Sequence, residues 1–239
     1  STLGRVVMAG LPNTKSWYDA LEMQFRQRVR GANNLQVSYT LSRALLDGCS
    51  GVCISGVRAF QRQSLAEFEA TGRSLEYGYN PTDSRHNLAI SASLALPAGV
   101  QLSGIGRMIS GSPTAYNCGC EIDGDGINDR APGTGLTVGR GDLEGQLAAI
   151  NAFRASRNLG PLTIDQIKVL PPAKSIDLRL TKRLGVGQGR NIELFAEGFN
   201  ITNFVNVVGV GTNYLLPTFN LPTGAQDARQ FQWGARYSF

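Results

Sequence analysis

Residues 86–109 read HNLAISASLALPAGVQLSGIGRMI, and this stretch decides between a helical and a β-sheet fold. From residue 86 to residue 106 it contains no Asp, Glu, Lys or Arg. This uncharged span is long enough for a transmembrane helix. Pro97 and Gly99 interrupt it in the middle, however, and polar residues recur at every second position on both sides. A two-residue period is typical of β-strands, so we predict a hairpin with strands at about 87–96 and 100–109.

The same period predicts five further strands, at about 20–29, 35–42, 175–184, 191–200 and 230–239. The last strand is the clearest, because large aromatic residues fill one phase of it: Phe231, Trp233, Tyr237 and Phe239. The composition agrees with a sheet. Only 17% of the 239 residues are charged and 29 are Gly, which fits strands and turns better than helices.

Charge is divided unequally between the two faces of these strands. The phase with the large apolar residues carries one charge, Lys182, near a strand end. The other phase carries ten charged residues: Glu22, Arg26, Arg28, Arg107, Asp177, Arg179, Arg183, Glu193, Glu197 and Arg236. One face therefore excludes charge, while the other is in contact with water.

Two architectures produce this pattern: a soluble sandwich or barrel with its apolar face inward, and a membrane barrel with a lipid-facing surface and a polar lumen. The lengths of the connections favour the membrane barrel. Short connections at 30–34, 97–99 and 185–190 alternate with long ones at 43–85, 111–173 and 203–229. Outer-membrane barrels alternate short periplasmic turns with long extracellular loops. We predict an all-β, antiparallel transmembrane β-barrel in a bacterial outer membrane, with its C-terminus in the periplasm.

Six segments, spread from about residue 17 to the end of the chain, carry a family resemblance: YDAL (18–21), SYTLS (38–42), DSRH (83–86), DGDGINDR (123–130), ELFAEGFN (193–200) and RYSF (236–239). In this order and spacing they are similar to TonB-dependent receptors of the Oar-like type. The resemblance implies a 22-stranded barrel, filled by an N-terminal plug, that imports a bulky ligand with energy delivered through TonB.

On this interpretation, residues 1–239 form one C-terminal segment of seven to eight strands, without the plug domain. The terminal aromatics Phe231, Trp233, Tyr237 and Phe239 look like the signal for the barrel-insertion machinery. Lipid surrounds the segment, and TonB contacts the missing N-terminal part. The alternative is a self-contained eight-stranded barrel with a structural or adhesive role, which needs a whole strand within about the first ten residues.

The four cysteines lie in the predicted extracellular loops, where disulfides persist. Cys49 and Cys53 belong to one loop, and Cys118 and Cys120 belong to the next. The spacing leaves open a local bridge in each loop, strained in the case of C-x-C, or a bridge between the loops. A four-thiolate zinc site is the rival hypothesis, although no C-x-x-C knuckle is present.

An acidic stretch in the second long loop suggests a calcium site. Glu121, Asp123, Asp125 and Asp129 match EF-hand positions one, three, five and nine, and Gly126 matches position six. Pro132 stands where the bidentate Glu of position twelve is expected. The stretch is therefore either a calcium loop or a plain Asp/Gly turn, and no other cofactor is predicted.

One short helix is predicted in the same connection. Residues 142–159 place apolar side chains near helical spacing. Asp142 is a candidate N-cap, and Gly160 follows the predicted end.

Two other classes of function are disfavoured by the sequence. The net charge of +5 does not indicate a nucleic-acid partner, because the basic residues are spread along the chain without a Lys/Arg-rich run. Asp83, Ser84 and His86 lie close together but without a nucleophile elbow, so a Ser/His/Asp centre is not predicted. We expect no enzymatic activity, with a hydrolase built on a barrel as the remaining enzymatic alternative.

Overall fold

The computed structural model describes residues 15–29, 33–47, 77–122, 130–187 and 189–239. Within them lie ten strands: β1 (Lys15–Arg28), β2 (Asn34–Asp47), β3 (Tyr77–Tyr79), β4 (His86–Leu96), β5 (Val100–Ile109), β6 (Ala173–Gly185), β7 (Asn191–Phe199), β8 (Val207–Val210), β9 (Pro222–Ala225) and β10 (Gln230–Ser238). Short 3-10 helices cover Pro97–Gly99 and Ile164–Gln166. The α-helix α1 covers Leu143–Ser156. None of the described helices is long and apolar enough to cross a bilayer.

Seven long strands form one antiparallel sheet in the order β1-β2-β4-β5-β6-β7-β10, and β3 pairs with the distal part of β2. All seven strands predicted from the sequence are present. β1 begins five residues earlier than predicted, at Lys15, and β2 continues to Asp47. β3 and the β8–β9 hairpin were not predicted, because they are three or four residues long and lie in the long loops.

The seven strands are staggered like those of a barrel. One paired row crosses all of them: Arg28, Asn34, Ser93, Ser103, Arg179, Glu197 and Gln232. We call the end of the sheet with the short turns the turn end and the opposite end the loop end. The row coincides with the turn end in β1 and lies six residues from it in β10. Six residues of about 3.3 Å over six strand spacings of about 4.8 Å give a tilt of about 35°.

The apolar face of the sheet is exposed. Leu94, Leu180 and Trp233 are 46%, 47% and 88% exposed, and among the described residues no second layer covers that face. On the opposite face Ser93 and Thr181 are buried, although they are polar. A soluble sandwich would bury the apolar face, so this arrangement contradicts the sandwich alternative.

The hydrophobic core of the described residues lies in the loops, beyond the loop end of the sheet. We call this region the loop layer; its buried residues are Tyr116, Cys118, Ala131, Val138, Ile150, Leu162, Ile167, Tyr214 and Phe219. They come from the second and third long connections. α1 contributes Ile150, and its N-cap Asp142 accepts a hydrogen bond from the Gly145 N–H at 2.9 Å. The predicted helix is therefore present, ending at Ser156 rather than at about residue 159.

Candidate functional site

The polar face of the sheet is the larger candidate site. Cross-strand pairs point to the same side of a sheet, so the register assigns each predicted charge to a face. All ten predicted lumen-facing residues share the face of the polar row: Glu22, Arg26, Arg28, Arg107, Asp177, Arg179, Arg183, Glu193, Glu197 and Arg236. With six arginines and four carboxylates, this set is net positive.

A ladder of ion pairs joins β6 and β7 on this face. Arg179 bonds Glu197 at 2.7 Å and Glu193 at 3.3 Å, and Arg183 bonds Glu193 at 3.1 Å. The ladder forms because Arg179 lies opposite Glu197, and Arg183 lies opposite Glu193. The Arg179 side chain is 38% exposed and that of Arg183 is 68% exposed. Such pairs contribute little to stability, so the ladder matters chiefly as a charged surface.

Neighbouring side chains hold this ladder in place. The Arg179 guanidinium lies over the Phe195 ring, 4.5 Å from its centre. Gln232 on β10 donates a hydrogen bond to Glu197, which extends the network to a third strand. Arg236 is paired in register with Glu193. The result is a wet surface on which anionic and cationic groups alternate across three strands.

A buried ion pair joins the sheet to the loop layer. The Asp83 carboxylate is fully buried and lies 2.9 Å from Nε of Arg140. Its Oδ1 also accepts the backbone N–H of Ala44 in β2, at 2.7 Å. Arg140 donates to the carbonyl of Gly111 at 2.9 Å. Three segments distant in sequence therefore meet at one carboxylate, and the loop layer is fixed to the loop end of the sheet.

The three residues considered for a catalytic triad have separate partners. His86 Nδ1 lies 2.8 Å from the Tyr39 hydroxyl, and Ser84 Oγ lies 3.3 Å from Ser112 Oγ. Asp83 is engaged with Arg140, as described above. The cluster organises the start of β4 and does not present a nucleophile with its base.

A disulfide joins Cys118 to Cys120 in the loop layer. The local C-x-C bridge is thus the one formed, and these two residues do not bridge the loops. It also removes two thiolates from the hypothetical four-cysteine zinc site. The other two candidates, Cys49 and Cys53, lie outside the described residues.

The calcium hypothesis stays a prediction. Asp123, Asp125 and Asp129 lie outside the described residues, while the described Glu121 is exposed. Elsewhere in the described ranges no group of three or more His, Cys, Asp or Glu side chains is arranged to hold a metal ion.

The residues proposed as the insertion signal lie on the edge strand β10, except for Phe239, which directly follows its last residue. Phe231, Trp233, Tyr237 and Phe239 are all exposed, and the Tyr237 and Phe239 rings stack on each other at 5.9 Å. They share the apolar face of the sheet, because Phe231 pairs with Gly198 and Trp233 with Ala196.

Sequence reasoning missed the Asp83–Arg140 pair and the Phe195 ring under Arg179. Arg140 lies in a stretch without periodicity, so no pattern connected it to Asp83, 57 residues earlier. Phe195 was detectable in principle: it shares the phase of Glu193 and Glu197, an unusual place for an aromatic residue on a charged face.

Comparison with known proteins adds one match. The sequence matches the family described as an outer membrane beta barrel domain over residues 6–232. No curated protein and no solved structure matches the chain. The match covers nearly the whole chain and agrees with the exposed apolar face, the polar opposite face and the staggered antiparallel strands. The chain therefore belongs to the outer membrane beta barrel domain family.

Proposed function

We propose that the chain is part of an outer-membrane receptor barrel that takes up a bulky ligand with energy delivered through TonB. In this proposal the long loops are extracellular, the turn end and the C-terminus face the periplasm, and the polar face lines the lumen. The observation that carries it is the open polar face of a sheet whose two edges need further strands.

The edges of the sheet support a larger barrel. Among the described residues β1 pairs only with β2, and β10 pairs only with β7 along the path of the sheet. In hydrocarbon an open edge leaves backbone N–H and C=O groups without partners, at a cost of several kcal/mol for each group. The seven long strands therefore require additional strands to close in a membrane.

The exposure of the polar face supports a wide lumen. An eight-stranded barrel is just wide enough for side chains to fill its interior. Here the ladder arginine Arg183, on the inner strand β6, is mostly exposed on the polar face. Wide barrels leave room for water, a plug and a passing solute, which agrees with transport.

The loop layer supports a receptor role. It has its own hydrophobic core and a buried joint to the sheet, so it presents a folded surface at the mouth of the barrel. That same feature favours the second candidate, a small self-contained barrel with a structural or adhesive role. Both candidates bind partners through the loops, and neither requires catalysis.

The complete reading frame tests the proposal. A receptor requires an N-terminal plug domain and a TonB-box segment ahead of the barrel strands. We then expect the periplasmic domain of TonB to crosslink to the assembled protein, and to lose this crosslink when the TonB box is deleted. A reading frame with neither feature contradicts energy-coupled uptake and favours the small barrel.

The assignment of the two faces has a separate test. Single cysteines replace Leu180 on the apolar face and Gln24 on the polar face of the protein assembled in the outer membrane. A water-soluble maleimide should label Q24C and spare L180C, whereas a fluorophore at residue 180 should be quenched by brominated lipid. Labelling of both positions at equal rates would contradict a lipid-facing apolar surface.

A further inference from the structure

Basic residues lie near the loop end of the apolar face, whose middle part carries no charge in the described strands. Arg43 on β2, His86 on β4 and Lys174 on β6 all point to this face by register, and Arg229 directly precedes β10 in the phase of Phe231. All four residues are exposed. We call these four residues the basic row.

The four residues of the basic row lie at similar distances along their strands from the turn end. Arg43 lies nine residues from Asn34, His86 ten from Leu96, Lys174 eleven from Gly185 and Arg229 nine from Ser238. A tilted transmembrane strand needs about 9–11 residues to cross the hydrocarbon core. The row therefore lies where the apolar band gives way to the polar headgroups of the distal leaflet.

Each member of the row lies against an aromatic ring. The Arg43 guanidinium is 5.6 Å from the centre of the Tyr79 ring, Lys174 Nζ is 5.9 Å from Phe204, and the Arg229 guanidinium is 5.7 Å from Phe231. The His86 ring stacks on Tyr39 at 6.2 Å. A ring under an Arg or Lys cation holds the charge in place without occupying all of its N–H groups, so the cation can still bind an anion.

The surroundings of the row leave it net positive. Asp19 is the register partner of Arg43 on the same face, and the acidic Asp227 lies two residues before Arg229. At the turn end Lys182 lies on the apolar face, and its amine donates to the carbonyl of Ala98 in the turn. Of the distal residues, Arg229 also donates to a backbone carbonyl, that of Ile201, at 3.4 Å.

We propose that the basic row binds the phosphate groups of anionic lipid headgroups in the distal leaflet of the membrane. Arg and Lys side chains supply the charge, the aromatic rings fix their height, and the apolar face below accommodates the acyl chains. The occupant is a membrane lipid with phosphates at headgroup level, as in bisphosphorylated lipid A. This binding rests on the orientation given under Proposed function, with the loop end extracellular, and not on TonB-dependent transport, because it uses only the lipid-facing surface.

Lipid retention by the assembled protein tests the inference. The protein is extracted from outer membranes in mild detergent and exchanged with bisphosphorylated or fully dephosphorylated lipid A, and the bound lipid is counted by native mass spectrometry. We expect R43Q, K174Q and R229Q each to weaken binding of the bisphosphorylated form on the order of 5-fold, and the triple variant on the order of 100-fold. The dephosphorylated form should bind weakly to every variant.

Matched variants keep the result interpretable. The triple variant R26Q/R28Q/R107Q removes three arginines from the polar face and should retain bisphosphorylated lipid A like the parent protein. R43K/R229K keeps the charges and should retain most of the binding. The heat-induced shift in gel mobility reports whether each variant is a folded barrel. Folded Gln variants with undiminished binding, or equal losses for both forms of lipid A or in the polar-face control, would overturn the inference.

Discussion

The sheet and the loop layer of this chain place their apolar residues in opposite ways. In the loop layer Ile150 and Ile167 are almost fully buried, as in a water-soluble domain. In the sheet Leu180 and Trp233 are exposed, while Ser93 and Thr181 are buried. The loop layer is therefore suited to water and the apolar face of the sheet to lipid. The Asp83–Arg140 pair lies at the boundary between the two regions. Substitutions with the same chemistry should have different effects on its two sides.

The largest effect is expected at that boundary. D83A leaves Arg140 without its buried partner and removes the acceptor of the Ala44 N–H, which should destabilise the loop layer by about 3–5 kcal/mol. The measurement is urea unfolding of the loop layer, followed by a fluorophore at S156C, an exposed position at the end of α1.

D165A is the matched control for the boundary. Asp165 pairs with Lys168 at 2.7 Å, but both side chains are largely exposed. Its loss should cost less than about 1 kcal/mol. Equal effects of D83A and D165A would show that the buried pair does not anchor the loop layer.

A cavity in the loop layer should have the next largest effect. Ile167 is completely buried, so I167A should destabilise this layer by about 2–5 kcal/mol. L180A on the apolar face should cost only about 1 kcal/mol, because lipid fills the space that the side chain leaves. Urea titrations in lipid vesicles measure both. Similar losses at the two positions would remove the contrast between the regions.

An arginine substitution should destabilise the protein on the apolar face but be tolerated on the polar face. Leu180 lies five residues from the turn end of β6, near mid-membrane, so L180R should destabilise the barrel by about 2–4 kcal/mol. S38R, on the polar face four residues from the turn end of β2, should change stability by less than about 1 kcal/mol. The free energy of unfolding in vesicles and the yield of inserted protein check this. A tolerated L180R with a damaging S38R would mean that the two faces are assigned the wrong way round.

The smallest expected effect is a pH dependence confined to the loop layer. Burial raises the pKa of Tyr116 above its ordinary value of 10.0, and the nearby Thr114 side chain offsets part of this. Above about pH 10 the unfolded chain ionises this tyrosine while the folded chain keeps it neutral, so stability falls as the pH rises. The fluorophore at S156C should report this decline in the parent protein and a smaller decline in Y116F. An identical decline in Y116F would assign the effect to other groups.

The sheet was predictable because lipid on one face and water on the other require apolar and polar residues to alternate along each strand. Each long strand presents one face to lipid and one to water, so Leu178, Arg179 and Leu180 alternate visibly. The loop layer lacks such a constraint: Tyr116, Ile150 and Tyr214 meet in one core although they are far apart in sequence. The predicted charges fell on one face for the same reason, whereas the Asp83–Arg140 contact and the Cys118–Cys120 pairing depend on loop conformation. Only the helix, with its local Asp142 cap, was predictable within that layer.

The unequal lengths of the strands give the barrel wall an uneven height. β1 and β2 are each 14 residues long, and β2 continues four residues beyond Arg43, with β3 paired along this extension. At about 3.3 Å per residue and the tilt derived above, this hairpin rises about 10 Å over the headgroup level. Strand β10, in contrast, begins at that level. In the proposed orientation, an antibody or a bacteriophage that approaches the cell meets this raised hairpin before it reaches the lipid, so the hairpin is expected to be a prominent epitope.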